Sequence, residues 1–156
     1  MTSAPIVSNA SALIALEQIG QLLLLQQIFG SVIVPPAVVR EVAPTVSLPP
    51  WIEQRNLTQP IGPHILRASL GAGESEAISL ALELQARLVI LDDRPARRLA
   101  QALHLSVIGT AGILLTAKRS SLLPAVRPSL DALLQHDFRM SPKLYEQVLM
   151  DADENS

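Results

Sequence analysis

Four short apolar runs, each followed by a helical pattern, limit this chain more than any other feature. "PIVSN" (5–9), "SVIV" (31–34), "RLVIL" (87–91) and "SVIG" (106–109) are rich in β-branched and aliphatic residues and too short for core helices. Short apolar strands separated by helices pair in parallel and must be covered on both faces. In such sheets the working groups gather at the carboxyl ends of the strands. Asn9 ends the first run there, and Asp92 and Asp93 end the third.

The intervening segments carry helix signals. "ASALIALEQIG" places Ser11 near its start and closes on Gly20, and "QLLLLQQIFG" closes on Gly30. Pro35-Pro36 opens a helix running toward Glu41, because proline suits a first helical turn. "GAGESEAISLALELQA" (71–86) is an amphipathic helix entered through two glycines, "RPARRLAQALH" follows the third strand, and Thr110 is placed to cap "AGILLTAKRS". Two further helices fall around 125–135 and 141–150. The stretch 44–63, with Pro44, Pro49, Pro50, Pro60 and Pro63, reads as an irregular excursion in which "WIEQRNL" is extended.

The layers over the sheet have to be aliphatic, since apolar residues make up 49% of the chain and aromatics only 3%. At 156 residues the chain has the size of one domain, spanning 1–150, with "DADEN" opening a frayed acidic tail over 151–156. It has no cysteine, which excludes disulfides, thiolate metal sites and cysteine nucleophiles and fits a reducing cytosol. A net charge of −2 argues against holding nucleic acid by bulk electrostatics, so any such role needs a local patch or a metal. No apolar stretch is long and clean enough for a membrane span and no leader is evident, so the expectation is a soluble, cytoplasmic protein.

Adjacent carboxylates at the end of a buried strand repel each other unless a cation answers them. Phased at about 100° per residue, the 73–85 helix buries Ala77, Ile78, Ala81, Leu82 and Leu84. Glu74 falls within that arc at the N-terminal end, while Glu76 and Glu83 fall nearly opposite and read as solvated charges. Glu41 stands beside a valine face (Val38, Val39, Val42) near a helix C-terminus, where an acid is electrostatically misplaced. Asn9, Glu41, Glu74, Asp92 and Asp93 form an oxygen-rich set without His or Cys, which suits Mg2+ or Mn2+ rather than zinc.

"IVSNASALIAL", the helix bearing Glu41, "GAGESEAISLALELQA", "LVILDDRPARRLA" and "VIGTAGILL", taken in order, resemble a PIN domain. They most resemble a bacterial subgroup whose opening strand reads Ser-Asn-x-Ser, and the likeness runs through most of the first 120 residues. The resemblance implies a three-layer α/β/α fold with a central parallel sheet of about four to five strands. It also implies a Mg2+- or Mn2+-dependent ribonuclease, in some members the toxin of a toxin–antitoxin pair. Catalytic and metal positions carry over onto Asn9, Glu41, Glu74 and Asp93, with Asp92 as the adjacent alternative, and Ser11 matches the hydroxyl residue two places after the first acid. The implied partners are single-stranded RNA, an antitoxin protein and a second copy of the chain. Asn9 brings no charge and takes no proton at neutral pH, so a catalytically weak or inactive binding module is the alternative reading.

Arg94, Arg97 and Arg98 share one helix directly after the acidic pair. They read either as a solvated face or as contacts to a substrate phosphate or to the carboxylates themselves. "GAG" at 71–73 lacks the spacing and lysine of a phosphate loop and is a turn into the helix. His64, His104 and His136 show no ligand spacing, and Trp51 reads as a packing plug.

Overall fold

The computed structural model describes residues 4–59, 61–67 and 69–154. Its five strands are β1 (Ile6–Ser8), β2 (Val32–Val34), β3 (Ile52–Gln54), β4 (Leu88–Ile90) and β5 (Val107–Ile108). All pair in parallel, in the order β3-β2-β1-β4-β5. The helices are α1 (Ala10–Gln18), α2 (Leu23–Phe29), α3 (Pro36–Val42), α4 (Ile61–Leu66), α5 (Ala72–Leu84), α6 (Arg94–Ala102), α7 (Thr110–Arg119), α8 (Arg127–Gln135) and α9 (Pro142–Asp151).

Strand alternation divides the interior into two cores. Ile6, Val32, Val34 and Ile90 face one core, which α1, α2, α3, α7, α8 and α9 cover. Val7, Ile33, Val89 and Leu91 face the other, under α5 and α6. Successive residues of a strand point to opposite faces, so β1, β2 and β4 each feed both layers and the result is a three-layer α/β/α sandwich. Burying a Val, Leu or Ile completely contributes roughly 1.5–3 kcal/mol. β1 and β2 are buried throughout, β4 and β5 are partly covered, and of β3 Ile52 alone is buried.

Helix ends follow local chemistry. Gly20 (φ +73°) and Gly30 (φ +82°) take left-handed conformations just past α1 and α2, where an L side chain would be strained. Asp93 caps α6 by accepting the Ala96 N–H at 3.2 Å, and Ser141 caps α9 by accepting the Leu144 N–H at 3.0 Å. Thr110 does not cap α7. Gly109 occupies that position, and the threonine is drawn to a carboxylate described below.

Within the stretch expected to be irregular, β3 falls in "WIEQRNL", the part expected to be extended, and α4 is an element the sequence did not announce. β3 forms directly after Trp51, whose carbonyl accepts the Val32 N–H at 3.0 Å, and Trp51 itself packs half-buried against the core. α4 forms despite Pro63, which falls in the first turn where its missing N–H costs nothing. It is laid against α5, with Gly62 so near Ser79 that an added Cβ would stand 3.2 Å from its hydroxyl. Tertiary packing, not periodicity, holds both.

The chain end is tied down as far as Glu154. Its carboxylate accepts from Lys118 Nζ at 2.9 Å, from the Val126 N–H at 2.8 Å and from the Arg127 N–H at 3.2 Å. Ala152 is buried, and Lys118 also reaches its carbonyl. Asn155 and Ser156, the remainder of the expected tail, lie outside the described residues. Among the described residues no single helix is long and apolar enough to cross a membrane.

Candidate functional site

β1 sits at the centre of the sheet, with β2 and β3 on one side and β4 and β5 on the other. The chain therefore changes direction of growth between β1 and β4, the place where parallel sheets of this kind hold their ligands, at the carboxyl ends of the strands. Asn9 follows β1 and Leu91, Asp92 and Asp93 follow β4. The Asn9 N–H donates to the Ile90 carbonyl at 3.1 Å, which locks the two strand ends side by side. Sheet order alone thus brings Asn9 next to the acidic pair.

Asn9 is 2% exposed, and its Oδ1 has no hydrogen-bond partner among the described residues. The residue stands at the N-cap of α1, where asparagine usually accepts a first-turn N–H, yet its side chain makes no such bond. A buried amide oxygen without a donor is rare because its desolvation goes uncompensated. It is available to a cation or to a donor on a ligand.

Asp92 is the opposite case. Its Oδ1 accepts the Thr110 N–H at 2.8 Å and its Oδ2 accepts the Thr110 hydroxyl at 2.6 Å. Burial pushes its carboxyl above the usual range, while Thr110 and the Arg97 guanidinium pull it back without cancelling the rise. Arg97 is fixed as well. It donates to the Leu91 carbonyl at 2.9 Å, and an added Cβ at Gly109 would meet both Arg97 and Asp92 at 2.8 Å. Asp93 is exposed, with one oxygen on the Ala96 N–H, and Arg94 and Arg98 are exposed beside it.

The second group of acids lies where α3 meets α5. Glu41 is exposed on the last turn of α3, and its carboxylate lies over Gly73, where an added Cβ would collide with Oε1. Burial pushes the Glu41 carboxyl up, repulsion from Glu74 and Glu76 adds to this, and the Gly73 N–H and Arg40 offset only part of it. Glu74 is half-buried in the first turn of α5. Ser11 is exposed in the first turn of α1.

Glu76 differs from the sequence reading. Rather than a solvated charge it is a buried residue, 9% exposed, whose Oε1 accepts the Ala37 N–H at 2.9 Å. Arg67 and Arg40 face its other oxygen at 3.6 and 3.9 Å. Leu82, expected inside, is 42% exposed, and Leu80 is fully buried instead. The single-stripe assumption fails because α5 packs on α3, α4 and the sheet together, so its first two turns are enclosed almost all round. Glu83 is not free either, since it accepts from the Thr58 and Gln59 N–H groups at 3.0 and 2.8 Å. The three histidines are exposed.

A hard divalent cation fits part of this donor set. The partnerless Asn9 Oδ1 and the mutually repelling Glu41 and Glu74 suit Mg2+ or Mn2+, whereas Asp92 has both oxygens engaged by Thr110. Among the described residues no three His, Cys, Asp or Glu side chains gather in a group that could hold a metal ion. Two depressions in the surface lie elsewhere, toward the amino ends of the strands, one beside Pro5 and Ser31 and the other beside Arg87 and Leu88.

A family model described as a PIN domain matches residues 5–154. No curated protein and no solved structure matches the chain.

Proposed function

The chain belongs to the PIN-domain family, and from that premise we propose that it is an RNA-engaging module with a weak cation site at its carboxyl edge and little or no hydrolytic activity. One observation carries this reading: both oxygens of Asp92 are held by Thr110, so the best-buried acid of the edge acts as a structural anchor. Asn9 contributes no charge at the end of β1, which lowers the affinity for a divalent ion further. A bound Mg2+ or Mn2+ would offset the repulsion between Glu41 and Glu74 and the charge of a nearby phosphate. Arg94 and Arg98, exposed after Asp93, supply a local positive charge beside the acids in a chain whose net charge is −2.

The second reading is a working Mg2+- or Mn2+-dependent ribonuclease, the toxin of a toxin–antitoxin pair, with an antitoxin protein and a second copy of the chain as partners. It is favoured by the Asn9 Oδ1, without a partner among the described residues, and by the only partly offset repulsion between Glu41 and Glu74.

Fluorescence anisotropy with a generic single-stranded RNA, with Mn2+ or EDTA, separates the two when paired with a cleavage gel. The module reading expects binding that weakens with salt and falls in the Arg94→Ala/Arg98→Ala variant, with the RNA left intact. Cleavage that requires Mn2+ and disappears in Asp93→Asn would establish the nuclease instead. No binding under any condition would sink both readings.

A further inference from the structure

α3 begins without a cap of its own. Pro35 holds the N-cap position in an extended conformation and has no side-chain acceptor, so the first-turn N–H of Ala37 has no partner within its helix. Glu76, 39 positions along the chain on α5, supplies the acceptor at 2.9 Å. The relation runs the other way too. Glu41, one turn beyond Ala37 on the same face of α3, lies over Gly73, one turn before Glu76 on α5. Each helix therefore sends a glutamate against the first turn of the other, and the two contacts set both the rotation and the height of α3 on α5.

A buried carboxylate is a costly way to join two helices unless its charge is answered. The answers at Glu76 are the Ala37 N–H and two guanidiniums whose side chains remain 65% and 46% exposed, Arg40 and Arg67. A hydrophobic residue would have joined the helices without that cost. What the carboxylate adds is a fixed point one helical turn from Glu41.

We infer that Glu76 is a positioning residue for Glu41: by holding the first turn of α3 on α5 it fixes where the Glu41 carboxylate stands over Gly73 and so sets the cation affinity of the acidic edge. The inference rests on the reading that this edge takes a divalent ion. Groups that orient a metal ligand from behind typically alter metal affinity by about 10–100-fold when removed.

The test uses the full-length 15N-labelled protein and two readouts, the Gly73 amide resonance and its paramagnetic broadening by added Mn2+. Glu76→Gln keeps an oxygen for the Ala37 N–H, so both readouts should stay close to wild type. Glu76→Ala should shift the Gly73 amide before any metal is added and weaken Mn2+ binding about tenfold. Circular dichroism checks that this variant is folded. If it is not, Glu76→Asp, whose shorter side chain draws α3 out of register, should move both readouts in the same direction. An unmoved Gly73 amide with unchanged Mn2+ affinity in Glu76→Ala, or in Glu76→Asp where that stands in for it, would overturn the inference. Equal changes in Glu76→Gln and Glu76→Ala would also overturn it, because the charge and not the Ala37 contact would then be responsible. Wild-type protein that binds no Mn2+ would refute the cation reading alone. The Gly73 amide shift, present in Glu76→Ala and absent in Glu76→Gln, would still decide the positioning role.

Discussion

Thr110 meets Asp92 with both of its donors, the backbone N–H at 2.8 Å and the hydroxyl at 2.6 Å, so one threonine satisfies both oxygens of one carboxylate. The pair ties the end of β4 to the first turn of α7 and puts a negative charge at a helix N-terminus, where the dipole favours it. Thr110→Val removes the hydroxyl donor but keeps the N–H and the shape. A hydrogen bond to a charged group is worth roughly 1.5–3 kcal/mol, and urea unfolding at neutral pH should show a loss of that order. Thr110→Ser should recover most of it. If Thr110→Val unfolds like wild type, the Asp92 carboxylate is satisfied by something other than this hydroxyl.

Glu41 gives the opposite pH signature from a paired acid. Burial and the charges of Glu74 and Glu76 raise its carboxyl above the ordinary glutamate range in the folded protein. A raised acid binds its proton more tightly when folded than when unfolded. Its contribution is therefore most favourable below the unfolded-state value near 4.5 and is lost as pH rises through the folded-state value. Glu41→Gln should accordingly melt slightly higher than wild type at neutral pH without divalent metal. The two proteins should converge as pH falls through the raised range, where wild-type Glu41 is already neutral. A gap that persists unchanged into acid would mean that it has another origin.

Glu154 titrates the other way. Burial pushes its carboxyl up, but the Lys118, Val126 and Arg127 donors outweigh that and hold it below the usual range. The stability it supplies is present above the unfolded-state value and fades as pH falls through the depressed one. Glu154→Ala leaves Lys118 and two backbone donors to water and should cost on the order of 1–2 kcal/mol in denaturant unfolding at neutral pH. In hydrogen exchange, the faster amides should be those of Val126 and Arg127 rather than those of β1 or β4. Uniform acceleration across the sheet would instead show that the chain end is part of the global unfolding unit.

The strands were legible in the sequence because a buried parallel strand leaves an unmixed apolar run, and β1, β2, β4 and β5 each carry one. β3 left none. Glu53 and Gln54 are exposed on an edge strand that, among the described residues, pairs with β2 alone, and Arg55 follows them, so no apolar run forms there. At the site, Asn9 and the Asp92–Asp93 pair could be placed from strand order alone, since β1 and β4 had to end at the same edge. The division of labour within that pair could not. It depends on Thr110, 18 positions away, reaching back across β5 to Asp92. Glu76 was hidden for a related reason: helix phasing assumes one buried face, while the first turns of α5 meet α3, α4 and the sheet at once. A buried glutamate whose partner is the backbone of another helix leaves no local pattern to read.

Asn9→Asp tests whether the missing charge at the end of β1 is what limits the edge. Asn9 is 2% exposed and its Oδ1 has no donor among the described residues, so a carboxylate in its place would be desolvated, without a donor among them and at the same strand edge as Asp92 and Asp93. Without metal the variant should melt below wild type. The deficit should shrink on acidification, because a buried acid with a raised pKa protonates early. With Mn2+ the order should reverse. A charged oxygen at the end of β1 should tighten binding on the order of tenfold, and the metal-induced rise in melting temperature should exceed that of wild type. Cleavage of a generic single-stranded RNA should appear or increase in the variant and vanish again when Asp93→Asn is added. Tighter Mn2+ binding without any cleavage would place the chemical deficit beyond Asn9, with the Thr110-bound Asp92 as the next residue to release. Faster cleavage by wild type than by Asn9→Asp would show that the neutral amide is the better ligand, and would move the protein from the module reading to the nuclease reading.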